Sequence, residues 1–203
     1  FPALIDSTTL IGGIQVQGRA SLGGNLCNAA PSADTIPTLI AHSAVANVIS
    51  DKGERQIPVE EFCIAPGKTV LEANEILVNI FLPRPAENSA ACFLRFIPRN
   101  EMDIAVANVA AFVELDSAGE NFISARIAIG SVAPTPLFVA EAGDTLSGKP
   151  IDEESIMAAA CIARDAASPI DDMRGTAEHR TQLVEVLTGR TIRTAVSRAR
   201  GEA

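Results

Sequence analysis

Two long, largely hydrophobic stretches joined by a turn constrain the fold of this chain most strongly. The stretches cover residues 105–115 and 122–130, and Asp116-Ser-Ala-Gly119 lies between them. Their spacing and the glycine-containing turn predict two antiparallel strands of one sheet. A strand that long needs cover on at least one face, so further elements must pack against it.

The elements around this hairpin indicate the fold class. A strand is predicted over 91–97, before the hairpin, and the pattern after Pro134 changes to helices over 137–146, 153–167 and 177–200, the last with a break at Gly189. Strands followed by helices predict an α+β domain, here an antiparallel sheet with helices on one face. We assign residues 85–203 to this domain.

Residues 1–84 form a separate unit in this reading, with the boundary at Pro83-Arg-Pro85. A helix is predicted over 35–42, with Asp34 as its N-cap. Residues 45–50 and 54–59 flank a turn signal and predict a β-hairpin. Residues 75–82 alternate like a strand leaving the unit, and residues 18–34 are interpreted as a loop.

The composition indicates an ordinary folded protein. Of 203 residues, 47% are hydrophobic and 20% charged, so a core forms without metal or disulfide. The formal net charge of −9 disfavours a nucleic-acid partner. No apolar run approaches the roughly 20 residues of a membrane helix, so we expect a cytoplasmic protein. Because the chain begins with Phe1 and shows no signal peptide, we expect a piece of a longer protein.

Cysteine and histidine are too scattered to indicate a metal site. The four cysteines stand far apart in sequence, at Cys27, Cys63, Cys92 and Cys161. We therefore expect no zinc or iron–sulfur site and no catalytic residue, but four reduced, mostly buried thiols. His179 is predicted to lie at the surface. His42 closes the predicted helix, where its charge would favour the helix C-terminus.

Ser21-Leu-Gly-Gly-Asn25 is the stretch that suggests chemistry. The paired glycines allow a positive φ and a close approach of an anion to the backbone amides, and Ser21 and Asn25 add side-chain donors. Asp34 offers a carboxylate for sugar hydroxyls. Together these groups are typical of a dinucleotide site, although a plain structural loop stays open. Neither the Gly-x-Gly-x-x-Gly fingerprint nor a Walker loop is present.

The wider context resembles a known family. Residues 11–37 resemble the second flavin-binding segment in the medium, FAD-binding subunit of the molybdenum hydroxylases, which include xanthine and carbon monoxide dehydrogenases. Residues 75–83 resemble the strand leaving its flavin domain, and 99–105 the start of its C-terminal domain. Residues 168–180 resemble its closing segment, with His179 where a Tyr is common. The resemblance implies the C-terminal half of a two-lobed FAD-binding domain followed by the α+β domain.

The same resemblance implies roles for particular residues. The FAD diphosphate and neighbouring hydroxyls would be held by Ser21, Leu22, Gly23, Gly24 and Asn25. Asp34 would contact the sugar or ribityl part. Leu77 and Ile11 would cover the adenine, and a role as simple core residues stays open for both. Arg95 falls where some members have a Lys near the flavin ring, and a surface salt bridge is the open alternative.

The resemblance also implies partners and a missing part. Molybdopterin and iron–sulfur clusters would belong to a large and a small subunit of a hetero-oligomer. Family members carry a further glycine-rich lobe before the segment that matches Ser21, so we expect weak FAD binding by this chain alone. The leading hypothesis is an electron-transfer component of an oxidoreductase. The alternatives are a structural piece that does not bind FAD and a nucleotide-binding regulatory module.

Overall fold

The computed structural model describes residues 1–99 and 102–202. Asn100, Glu101 and Ala203 lie outside the described residues. The first two belong to the segment 99–105, which resembles the start of the family's C-terminal domain. The elements follow in this order: α1 (Pro2–Thr8), α2 (Ile14–Gln17), α3 (Leu22–Asn28), α4 (Thr35–Ala41), β1 (Val45–Ser50), β2 (Gly53–Pro58), a 3-10 turn (Val59–Glu61), β3 (Cys63–Ala65), β4 (Lys68–Thr69), β5 (Ile76–Phe81), β6 (Ser89–Phe96), β7 (Ala107–Leu115), β8 (Phe122–Gly130), β9 (Leu137–Phe138), α5 (Ala140–Leu146), α6 (Glu153–Asp165) and α7 (Ala177–Ala199).

The predicted long hairpin is confirmed as β7 and β8, the centre of an antiparallel sheet in the order β6-β7-β8-β9. Helices α5, α6 and α7 cover one face of this sheet, which confirms the α+β architecture. The opposite face is covered by α1 and α4 from the first part of the chain. The sheet therefore supports the short N-terminal helices that carry the candidate site.

The first part of the chain is built on a second antiparallel sheet, in the order β2-β1-β5. The predicted hairpin and the predicted strand over 75–82 are both confirmed here. Leu26 of α3 and the buried face of α4 pack with this sheet in one apolar core, which also includes Ala128 of β8. The short helices are thereby fixed between the two sheets.

Several expectations about local structure are wrong. Residues 18–34 are not a continuous loop, since α3 lies within them. The helix expected from residue 137 begins at Ala140, because Leu137 and Phe138 pair with β8. Helix α7 continues through Gly189. A glycine costs a helix only about 1 kcal/mol relative to alanine, and the packing of α7 on β6, β7 and α6 offsets that cost.

His42 and the thiols also differ from expectation. His42 ends α4 as predicted, but it is buried, with Phe1 and Phe112 edge-on to its ring. Burial lowers the pKa of His42 to about 4, so at neutral pH it carries no charge to favour the helix end. Of the cysteines only Cys92 is fully buried, and Cys27 is exposed. His179 is exposed, as expected.

None of the described helices combines the length and the apolar character that a membrane crossing requires.

Candidate functional site

The Ser21–Asn25 stretch forms the first turn of α3. Ser21 is the N-cap, with extended backbone angles (φ −135°, ψ 154°), and its Oγ accepts a hydrogen bond of 3.0 Å from the Gly24 N–H. The Asn25 N–H donates to the Ser21 carbonyl at 2.9 Å. A serine cap of this kind is what allows a glycine-rich segment to start a helix.

Two amides of this turn remain open. The N–H groups of Leu22 and Gly23 have no acceptor among the described residues, as expected for the first turn of a helix. Unpaired amides at a helix N-terminus attract anions, because their hydrogens and the helix dipole both favour negative charge. The turn can therefore receive a phosphate group through its backbone.

The glycines serve this turn differently from what we expected. Neither Gly23 nor Gly24 has a positive φ; both are helical. A Cβ on Gly24 would lie 3.0 Å from Ser21 Oγ and crowd the cap. A Cβ on Gly23 would lie 3.4 Å from Cδ2 of Leu77, an ordinary contact. Leu77 therefore packs close to Gly23, and the turn has space for a Cβ there but not for a large side chain.

An open cleft of about 300 Å³ lies beside this turn. Its lining includes Ile11, Ser21 and Leu22, together with Thr8, Thr9, Gln17 and Ala20. Ile11 is half-buried there. The structure thus places Ile11 and Leu77 close to the Ser21–Asn25 turn; their roles at the adenine stay predictions.

Asn25 is tied to α4. The Thr35 hydroxyl donates a hydrogen bond of 2.6 Å to Asn25 Oδ1. Thr35 is fully buried and Asn25 is half-buried. The side chain of Asn25 is thus held by the first residue of α4.

Asp34 and Arg95 form a buried ion pair. Arg95 Nη1 lies 2.5 Å from Asp34 Oδ2, and the two side chains are only 5% and 8% exposed. Arg95 Nη2 also donates to the Leu10 carbonyl at 2.7 Å. The salt bridge considered for Arg95 therefore exists, but it is buried and not at the surface. Asp34 stands at the N-cap position of α4, but its carboxylate makes no cap hydrogen bond.

A fully buried asparagine completes this network. Asn108 Nδ2 lies 3.4 Å from Asp34 Oδ1, and Asn108 Oδ1 has no partner among the described residues. A Cβ on Gly130 would lie 2.3 Å from that oxygen, so the glycine makes room for the amide. Burial raises the pKa of Asp34, although Arg95 and Asn108 oppose the rise. The carboxylate depends on these two partners for its charge.

A second cleft, of about 460 Å³, adjoins the first. Arg95 lines it together with Gly12, Gly13 and Met102, and Thr9 and Gln17 line both clefts. Ser21 and Leu22 line the first cleft and Arg95 lines the second; we call the two neighbouring clefts together the groove. A dinucleotide is elongated, with an anionic centre between two ring systems, and the donors and apolar walls present here fit such a ligand. The described residues contain no group of three or more His, Cys, Asp or Glu side chains placed to hold a metal ion.

Comparisons with protein families cover both parts of the chain. Residues 1–85 match the family described as the FAD binding domain in molybdopterin dehydrogenase. Residues 93–195 match the CO dehydrogenase flavoprotein C-terminal domain. The two matches follow one another in the order that the sequence resemblance implies.

Individual relatives agree with these matches. The chain is 33% identical over 203 residues to the xanthine dehydrogenase FAD-binding subunit of Escherichia coli O157:H7, covering 100% of this chain and 69% of that protein. It is 30% identical over 198 residues to the carbon monoxide dehydrogenase medium chain of Hydrogenophaga pseudoflava, covering 98% and 68%.

Solved structures give the same result for the fold. A carbon monoxide dehydrogenase structure from Hydrogenophaga pseudoflava matches with a TM-score of 0.92 at 30% identity, over 98% of this chain and 68% of that chain. Quinoline 2-oxidoreductase from Pseudomonas putida 86 matches with a TM-score of 0.85 at 29% identity, over 99% and 67%. The chain belongs to the family of FAD-binding subunits of the molybdopterin dehydrogenases.

Proposed function

We propose that this chain binds FAD in the groove beside α3 and serves as the flavin-containing electron-transfer component of a molybdenum-containing hydroxylase or dehydrogenase. The observation that carries the proposal is the pair of open amides at Leu22 and Gly23, in a turn whose Ser21 and Leu22 line a cleft, within the segment that matches the FAD-binding family. Bound FAD would accept electrons and pass them on; the protein supplies binding, orientation and electrostatics.

The chain's own residues divide this work. Ser21 and Gly24 hold the turn in shape through their hydrogen bond, and the amides of Leu22 and Gly23 donate to the diphosphate. The Asn25 amide adds a side-chain donor next to them. Leu77 and Ile11 supply apolar surface for the adenine.

Asp34 and Arg95 act at the other end of the groove. Because the two charges neutralise each other, we propose that they present a fixed, nearly neutral polar group to the sugar or ribityl part and the flavin ring. Arg95 lines the groove, so its positive charge would act on the flavin ring from close by and stabilise negative charge there.

The same proposal assigns partners. The relatives are named as subunits or medium chains of xanthine and carbon monoxide dehydrogenases. We propose that this chain assembles in the cytoplasm with a molybdopterin-binding large subunit and an iron–sulfur small subunit, so that substrate oxidation takes place outside this chain. We expect it to be inactive alone.

One observation favours a second candidate function, a structural subunit without bound flavin. Asp34 and Arg95 already neutralise each other's charge without a ligand, so the charges in this part of the fold do not require a cofactor. In that case the groove would serve only to support assembly.

The experiment that tests the proposal compares Gly23→Val with Gly18→Val. Both variants are introduced at the native locus, and flavin content and FAD affinity are measured on the purified protein. Gly18 ends α2 with φ −66° and ample space around it, so it controls for the added side chain. The valine side chain would keep the diphosphate away from the Gly23 amide, and the lost charge-assisted hydrogen bonds should weaken FAD binding roughly tenfold to a hundredfold. Equal FAD binding by both variants, or an unmodified protein without flavin, would contradict the proposal.

A further inference from the structure

Thr35 is a buried residue whose hydroxyl is directed at the candidate phosphate-binding turn. It is the first residue of α4 and is 0% exposed. Its Oγ1 lies 2.6 Å from Asn25 Oδ1, across two different helices. This is the side-chain hydrogen bond that connects α4 to the first turn of α3.

The direction of this bond determines what Asn25 can offer a ligand. A carboxamide has an acceptor oxygen and a donor NH₂ group, and either can face a neighbour. Because the Thr35 hydroxyl donates to Oδ1, the NH₂ group of Asn25 is turned away from α4. Asn25 lies in the same turn as the open amides of Leu22 and Gly23. Its free end is therefore a donor, the polarity that an anionic ligand needs.

A second threonine on the same helix shows that the bond is not a general requirement of burial. Thr38 is also 0% exposed, and its hydroxyl has no partner among the described residues. The two positions therefore have the same residue type, helix and burial, but only Thr35 reaches the turn at Asn25. Thr38 is a matched control for any effect of removing a buried hydroxyl.

We propose that Thr35 is a positioning residue that fixes the Asn25 carboxamide as a hydrogen-bond donor toward the diphosphate of the dinucleotide. The inference rests on the proposed function and assigns to the site a residue that does not itself touch the ligand. Without the hydroxyl, the amide can rotate and present its oxygen, which repels a phosphate.

The test compares Thr35→Val, Thr35→Ser and Thr38→Val, each introduced at the native locus so that the protein is purified in its natural form. Flavin is removed, and the affinities for FAD and for riboflavin, which lacks phosphate, are measured by titration. Thr35→Val should weaken FAD binding about fivefold to tenfold, the size of one lost hydrogen bond. Riboflavin affinity should stay the same, and Thr35→Ser should restore FAD affinity.

Each outcome decides between the inference and its alternatives. If Thr35→Val and Thr38→Val have equal FAD affinity, or if Thr35→Val weakens FAD and riboflavin alike, Thr35 has only a structural role and the inference is wrong. If the unmodified protein binds riboflavin and FAD equally, or binds neither, the proposed binding of FAD is itself wrong, whatever the Thr35 variants show. As a second check, Asn25→Asp keeps the acceptor for Thr35 but loses the donor, so it should weaken FAD binding more than Thr35→Val does.

Discussion

The buried pair of Asp34 and Arg95 leads to a prediction in which the two halves of one ion pair respond differently to pH. Asp34→Asn leaves the Arg95 guanidinium charged at every pH of interest, since arginine does not lose its proton in proteins. Arg95→Met leaves the Asp34 carboxylate without its cation, but a carboxylate can be neutralised by a proton. The first variant therefore has no way to relieve the buried charge, whereas the second has one.

The magnitude follows from the burial of the pair. With only 5% and 8% of the two side chains exposed, solvent screening is small, and removing one partner should cost about 3–5 kcal/mol near neutral pH. Burial already raises the pKa of Asp34, with Arg95 as the main opposing group. Without Arg95, the pKa of Asp34 rises further above its value in the unfolded chain.

The sign of the pH effect is fixed by this shift. A carboxyl group whose pKa is higher in the folded state binds its proton more tightly there, so stability is gained as the pH falls and lost as it rises. Measured relative to the unmodified protein, the destabilisation of Arg95→Met should shrink toward acid pH, by at most about 1.4 kcal/mol per pH unit. The destabilisation of Asp34→Asn should not shrink toward acid pH. It should grow there, because the variant lacks a carboxyl whose raised pKa stabilises the unmodified protein as the pH falls.

Urea unfolding followed by far-UV circular dichroism is the suitable assay, because the chain contains no Trp and no Tyr for fluorescence. The double variant should cost less than the sum of the single variants, by about 1 kcal/mol or more. Parallel pH profiles for the two single variants, or simple additivity in the double variant, would refute the reasoning.

Two further predictions concern the fold around the site. Burial lowers the pKa of His42 to about 4, so the unfolded chain binds the His42 proton more tightly than the folded chain does. The free energy of unfolding should therefore fall by up to about 3 kcal/mol between pH 6.5 and pH 4. His42→Leu should remove that part of the pH dependence in urea titrations. A Cβ on Gly143 would lie 2.2 Å from the Ala125 carbonyl oxygen, so Gly143→Ala should force α5 away from β8 and lower the free energy of unfolding by roughly 1–3 kcal/mol. An unchanged midpoint in thermal unfolding would contradict this second expectation.

The regular strands could be predicted from the sequence because their signal is local. The hydrophobic stretch over 122–130 coincides with β8, and the turn residues at 51–53 lie between β1 and β2, which pair as the predicted hairpin. Helix α3 was missed because Gly23, Gly24 and Asn25 are poor helix formers. It forms because Ser21 caps it and Leu26 is fully buried, and packing of that kind is not visible in the local pattern.

Only the part of the candidate site that lies in one stretch of sequence could be predicted. The Ser21–Asn25 turn is a single stretch, so its residues could be named together. The contacts that fix the site join residues far apart in sequence: Arg95 reaches Asp34 across 61 positions and Asn108 reaches it across 74. Nothing in a propensity pattern identifies Asn108 as the buried neighbour of a carboxylate. A buried polar side chain becomes informative only when its partners are known.

The central claim is that the open amides at the start of α3 bind the diphosphate of FAD. A crystal or cryo-EM structure of the native protein with its flavin tests this most directly. We predict that a phosphate oxygen lies within hydrogen-bond distance of the Leu22 and Gly23 nitrogens, with the flavin ring toward Arg95. A flavin whose diphosphate is bound elsewhere, with these two amides facing solvent or another protein segment, would contradict the account.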